Sequence, residues 1–215
     1  MEINDRHVEW AVVNRLKVML ETPPQSEFEV TQTFALFTTI VLWTKQRLWV
    51  GGRGEQAQPW FNERDHAARK LRDELGDAKI IDGPWSLAQE APRPASAPES
   101  VNGDFSAMNA RDFIEWLRNA LAHSDGREAG GSKGGGRIAP LNHSSRKGGK
   151  SLDGFKISFA AKQGSETLLT ASLYRADMVR IGSLLADAFC KALSDGEEYF
   201  ERDAATASGK ITEAA

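Results

Sequence analysis

The chain is poor in sulfur, in long apolar runs and in net charge of either sign, and each shortage removes a class of protein. One cysteine, Cys190, in 215 residues cannot close an intramolecular disulfide, which sets aside the cross-linked secreted scaffolds. No stretch near Met1 joins a basic flank to an apolar run and a small-residue cleavage site, so the expected location is the reducing cytoplasm. The most apolar stretch, FALFTTIVLW from Phe34 to Trp43, is shorter than the ~20 residues that cross a bilayer, and Lys45 and Arg47 soon follow it. It reads as a buried helix, with no membrane partner. A formal charge of −3 argues against a protein that coats nucleic acid over its whole surface. His7, His66, His143 and Cys190 lack metal-ligand spacing, and no glycine-rich phosphate loop joins a strand to a helix, so neither a metal nor a nucleotide cofactor is expected.

What the chain does contain is helical periodicity. Asn4 or Asp5 can cap a helix to about Leu20, with Val8, Val12, Leu16 and Met19 on one stripe, and Pro23-Pro24 stops it. Ser26 and Glu29 form a capping box for a second helix from about Glu27 to Val50, whose face carries Phe34, Phe37, Val41 and Leu48. A charged, exposed helix from Pro59 to Leu75 closes at Gly76. Three prolines in residues 91–100 mark a surface linker, extending to 103. A fourth helix runs from about Asp104 to His123, with Met108, Phe113, Ile114, Leu117 and Leu121 toward the core.

Residues 124–150 break this pattern. Eight glycines predict a long mobile loop, and its six bases against two acids run opposite to the rest of the chain. Arg127, Lys133, Arg137, Arg146 and Lys147 are its candidate RNA-binding residues; the bland alternative is a solvated linker that binds nothing. Residues 154–174 read as a β-hairpin turning at Lys162 to Ser165, and a last helix runs from about Ala176 to Arg202 with Ile181, Leu184, Leu185, Ala188 and Phe189 inward. The expected architecture is one mainly α domain over residues 1–203, a helical bundle with one small hairpin, then a disordered tail at 204–215. The six tryptophans read as core and interface anchors.

The string FIEWLRNALAHSDGR, residues 113–127, places an arginine, an amide and a histidine at a helix exit. At about 100° per residue, Asn119 and His123 lie nearly above one another, while Arg118 projects about 140° away from His123. Two such helices about a two-fold axis would gather these groups into one cleft. An imidazole titrates near neutrality and serves proton transfer in both directions, and a guanidinium grips phosphate oxygens through paired hydrogen bonds.

This spacing resembles the R-x(4 to 6)-H motif of the HEPN superfamily (higher eukaryote and prokaryote nucleotide-binding), with the match at Arg118, Asn119 and His123. LRNALAHSDGR, Pro140 and GFKISF look like the bacterial branch, in which a hairpin separates the motif helix from a terminal helix; the likeness covers residues 104–202. The resemblance implies a HEPN-like bundle acting as a homodimeric, metal-independent endoribonuclease. It also implies a toxin or antiphage effector, with an antitoxin or defence partner. His123 would be general acid or base, Arg118 would stabilise the charged phosphorane, and Asn119 would orient the histidine or the phosphate.

Plainer readings stand beside this one. Glu115 lies three residues before Arg118 and could hold it in a surface ion pair, and His123 could merely cap its helix. A HEPN-like module that binds RNA, nucleotide or protein without cutting is one alternative; a structural subunit docking through its apolar second helix is another.

Overall fold

The computed structural model describes residues 8–22, 28–48, 71, 73–76, 80, 84–85, 101–102, 108–123, 137–144, 150–160 and 168–193. The elements are α1 (Val8–Glu21), α2 (Glu29–Leu48), β1 (Val101–Asn102), α3 (Ala110–His123), β2 (Arg137–Ser144), β3 (Lys150–Ala160), β4 (Leu168–Tyr174) and α4 (Arg175–Leu193). The described part is mostly helical with a small antiparallel sheet.

Helices α1, α2 and α4 pack on one another around a single buried cluster that also takes in α3 and the sheet. α1 turns inward only part of the stripe its sequence suggests, with Leu16 packing on the core. Trp10, Val13 and Leu20 are buried, whereas Met19 is half exposed. Two apolar stripes compete on this short helix, and the one carrying the largest side chain is covered. Phe37, Ile40 and Val41 of α2 are fully buried, and Phe34 stacks on Phe155 of β3 with ring centroids 3.9 Å apart. The described part of the apolar face of α2 is thus largely packed inside the chain. Polar contacts join the same helices: Lys17 to Asp187 at 2.6 Å on the surface, and the half-buried Trp43 indole to Glu9 at 3.1 Å.

The sheet is larger than the expected hairpin. Its order is β1-β4-β3-β2, all antiparallel, so β3 and β4 form the hairpin and a strand is added on each side. β2 corrects the reading of 124–150 as one loop: Arg137 to Ser144 pair with β3. Glycines flank this stretch, but RIAPLNH itself contains none, and composition averaged across the segment hides it. Pro140 leaves the register intact, as a proline can on an edge strand. At the far end of β2, Leu141 faces Gly154 and Asn142 faces Leu152, so Asp153 is the extra residue of a bulge. β1 corrects the linker at 91–103: Val101 and Asn102 pair with Ala171 and Thr170. The remainder of that linker and the tail at 204–215 lie outside the described residues.

Two helix ends are set by local chemistry. Gly76 adopts φ 64° after helical residues 73–75, the left-handed exit that glycine accepts without strain. α4 begins with a buried carboxylate: Asp177 accepts from the Tyr174 backbone N–H at 3.1 Å and pairs with Arg180 at 3.7 Å. Among the described residues, no helix is long and apolar enough to cross a membrane.

Candidate active site

α3 starts later than its apolar spacing suggests, because Asn109 caps it. The Asn109 Oδ1 accepts from the Asp112 backbone N–H at 2.8 Å, and its carbonyl accepts from Phe113 at 2.9 Å. Met108 lies outside the helix, its carbonyl accepting from the Ile80 N–H at 3.1 Å. From there one stripe is buried: Ala110, Phe113, Ile114, Trp116, Leu117 and Ala120. Each large apolar side chain on it contributes about 1.5–3 kcal/mol of burial, so the helix is held firmly on that side. Phe113 and Trp116 stack with centroids 5.9 Å apart.

The opposite side carries the polar groups. Arg118 and Asn119 are half-buried and His123 is exposed in the last turn. The Arg118 Nη1 donates to the Asn119 Oδ1 at 2.8 Å, so the guanidinium swings around the helix to its sequence neighbour. His123 follows Asn119 by one turn, about 6 Å along the axis and about 40° around it. It makes no hydrogen bond or ion pair among the described residues. Within one chain, then, Arg118 and Asn119 are brought together, and His123 stands beside them near the helix exit.

Glu115, the suggested ion-pair partner of Arg118, is drawn to the Lys45 Nζ of α2 at 3.5 Å. Nothing in the sequence spacing links Lys45 to Glu115; only the packing of α2 against α3 does. Of the basic residues proposed to hold RNA, Arg137 opens β2, is exposed, and faces Ser158. By strand alternation it lies on the face opposite Ile138 and Ile157, which join the core. Arg127, Lys133, Arg146 and Lys147 lie outside the described residues.

Cys190 is buried, its thiol directed at the Trp10 carbonyl 3.9 Å away. Burial, reinforced by the charge of Asp187 and opposed by Lys17, pushes its pKa up to about 12, which makes it inert at neutral pH. No group of three or more His, Cys, Asp or Glu able to hold a metal occurs among the described residues. The chain matches no protein-family model, no curated protein and no solved structure. The reading of the site therefore rests on its own geometry and on the motif.

Proposed function

We propose that this chain is a HEPN-like endoribonuclease that works as a homodimer without a metal, with Arg118, Asn119 and His123 as its site. The observation that carries the reading is the 2.8 Å Arg118–Asn119 hydrogen bond on the polar side of α3, one turn before an exposed histidine. A guanidinium to meet developing charge and an imidazole to move protons are groups that phosphoryl transfer to an internal hydroxyl can use.

RNA brings its own nucleophile. One His123 would take the proton of the ribose 2′-hydroxyl as its oxygen attacks phosphorus; the P–O5′ bond breaks, and the leaving oxygen takes a proton from a second imidazole. Pairing two α3 helices about a two-fold axis supplies that second His123 and a second Arg118 for the charged phosphorane. The products would be a 2′,3′-cyclic phosphate and a 5′-hydroxyl. An effector acting on cellular RNA would need a restraining partner, as an antitoxin or a defence complex provides.

The test is RNA cleavage by the purified chain in excess chelator, with end-group analysis. Cyclic-phosphate ends that vanish in Arg118→Ala and His123→Ala support the reading. Cleavage unchanged in both variants sinks the site, and strict dependence on magnesium sinks the mechanism.

A further inference from the structure

We propose that the outer face of the sheet, where Arg137 and Lys156 stand beside the Ser158–Thr170 hydroxyl pair, binds the sugar–phosphate backbone of a single nucleic-acid strand. That the strand is RNA rests on the nuclease reading; the surface itself stands apart from α3. Alternation decides which residues share this face. Phe155, Ile157 and Phe159 of β3 and Leu169, Ala171 and Leu173 of β4 turn to the core, so Lys156, Ser158 and Thr170 turn away from it. α3 packs on β3 with its buried stripe in that same core cluster. Arg137 pairs with Ser158 and Ala139 with Lys156, which places the two cations on one diagonal of the ladder, about 7–8 Å apart. Both are exposed, and neither makes an ion pair among the described residues.

The four strands hold one carboxylate, Asp153 in the bulge, against Arg137, Lys150 and Lys156. The sheet thus runs against the charge of the chain, which is −3, and that favours a polyanion here. Edge protection accounts for a charged Arg137 on β2 but not for Lys156, because β3 is paired on both sides and lysine is poorly suited to a strand. The hydroxyls fit the same ligand. Ser158 Oγ and Thr170 Oγ1 lie 2.9 Å apart, so one donates to the other and the second keeps its hydrogen for a phosphate oxygen. Tyr174, the aromatic residue of this face, is buried, which removes the stacking platform that base-reading sheets use and leaves the backbone as the recognised part. A protein partner would look for apolar anchors, and the exposed large apolar side chains of the described residues are Val18, Met19 and Phe28, none of them on the sheet. With β2 and β3 about 5 Å apart, the cationic strip is as narrow as one strand.

The experiment follows binding of a fluorescent single-stranded DNA oligonucleotide to the full chain by anisotropy across a salt series. A 2′-deoxy strand has no internal hydroxyl to attack its phosphate, so binding is read whether or not the chain cleaves RNA. Arg137→Gln and Lys156→Gln should each weaken binding about fivefold at low salt and lower the slope of log affinity against log salt by about 0.7, one single-strand phosphate contact apiece. Oligonucleotides of different base sequence should lose affinity alike. Lys191→Gln, which removes the same charge from α4, should leave the slope unchanged. Urea midpoints check that the variants fold, and if Lys156→Gln does not, Arg137→Gln decides. Absence of binding at low salt, a parental slope in either folded glutamine variant of the sheet, or an equal fall in Lys191→Gln overturns the proposal. Binding through this face without RNA cleavage would keep the surface and remove the nuclease; RNA cleavage with unchanged slopes in both sheet variants would do the reverse.

Discussion

α4 and α3 are both amphipathic helices, yet they divide their surfaces differently. α4 buries ten of its 19 residues, among them a carboxylate, a thiol and a glycine, whereas α3 buries six of 14 in one stripe and leaves a polar side of Arg118, Asn119 and His123. α4 touches α1, α2 and β4 and keeps a narrower exposed edge at Ala176, Asp187 and Lys191. Among the described residues, α3 packs on α2 and β3. The helix that organises the core thus spends more of its surface on packing, and the helix that carries the candidate chemistry spends its apolar side on being held still.

The largest effects should fall on α4. Phe189→Ala, at a fully buried side chain, should lower unfolding free energy by about 3–5 kcal/mol in urea titration. Asn119→Ala on α3 should stay within about 0.5 kcal/mol of the parent. Equal costs would break the contrast between the two helices. The mirror-image experiment is activity. Arg118→Ala and His123→Ala should each reduce RNA cleavage by about 100- to 1000-fold with unchanged urea midpoints, as removal of a group that stabilises developing charge does.

Glycines sharpen the contrast at the next scale. A Cβ on Gly182 would stand 2.6 Å from Leu20 Cδ2 and 3.2 Å from Phe37 Cδ2, where α1, α2 and α4 meet. Gly182→Ala gains about 1 kcal/mol of helix propensity but costs about 1–3 kcal/mol in overpacking, so a net loss of up to about 2 kcal/mol is expected. Gly154→Ala should cost more, because the new atom meets the Leu173 carbonyl and the Tyr174 backbone, which cannot rotate aside. Urea midpoints ranked the other way would mean that the sheet yields more easily than the helical core.

Much of this architecture was legible in the residues. The buried stripes of α3 and α4 follow from spacing, since Phe113, Ile114, Leu117, Ile181, Leu185 and Phe189 are all covered. Gly76 ends its helix as its identity suggests. What escaped depended on distant partners. β2 exists because β3 supplies a ladder for a stretch whose neighbours are glycine-rich, and α1 chose between two stripes only when packed. At the site, the motif named Arg118 and Asn119, but i and i+1 side chains point about 100° apart on a helix. Their direct bond needs a long guanidinium bent back along the surface, which spacing does not reveal.

The pH dependence of stability should report on α4 as well. Cys190 has its pKa raised from 9.0 to about 12 by burial, so the folded state retains a proton that the unfolded chain releases. Its contribution is whole below pH 9.0 and is lost as pH rises toward 12, at a slope near 1.4 kcal/mol per pH unit. Lys17 acts in the same sense at higher pH. Burial alone would lower its pKa, but the hydrogen bond and charge of Asp187 outweigh that and raise it above 10.5. Urea titrations from pH 8 to 10.5 should show the decline in the parent and a smaller one in Cys190→Ala. A decline of equal size in both would remove the thiol as its source.

The smallest expected effect tests the boundary between holding and acting. Lys45 and Glu115 form a surface pair worth less than about 1 kcal/mol, so Lys45→Ala should barely move the urea midpoint. It should still matter at the site, because a released Glu115 carboxylate lies three residues from Arg118 and four from Asn119, within reach of both on a helix. RNA affinity should fall about two- to fivefold at low salt, the difference shrinking as salt screens the exposed carboxylate. Adding Glu115→Gln to Lys45→Ala should restore affinity, since the competing charge is then gone. If the double variant stays as weak as the single one, Lys45 contacts the RNA itself, and α2 shares in binding rather than only restraining its neighbour.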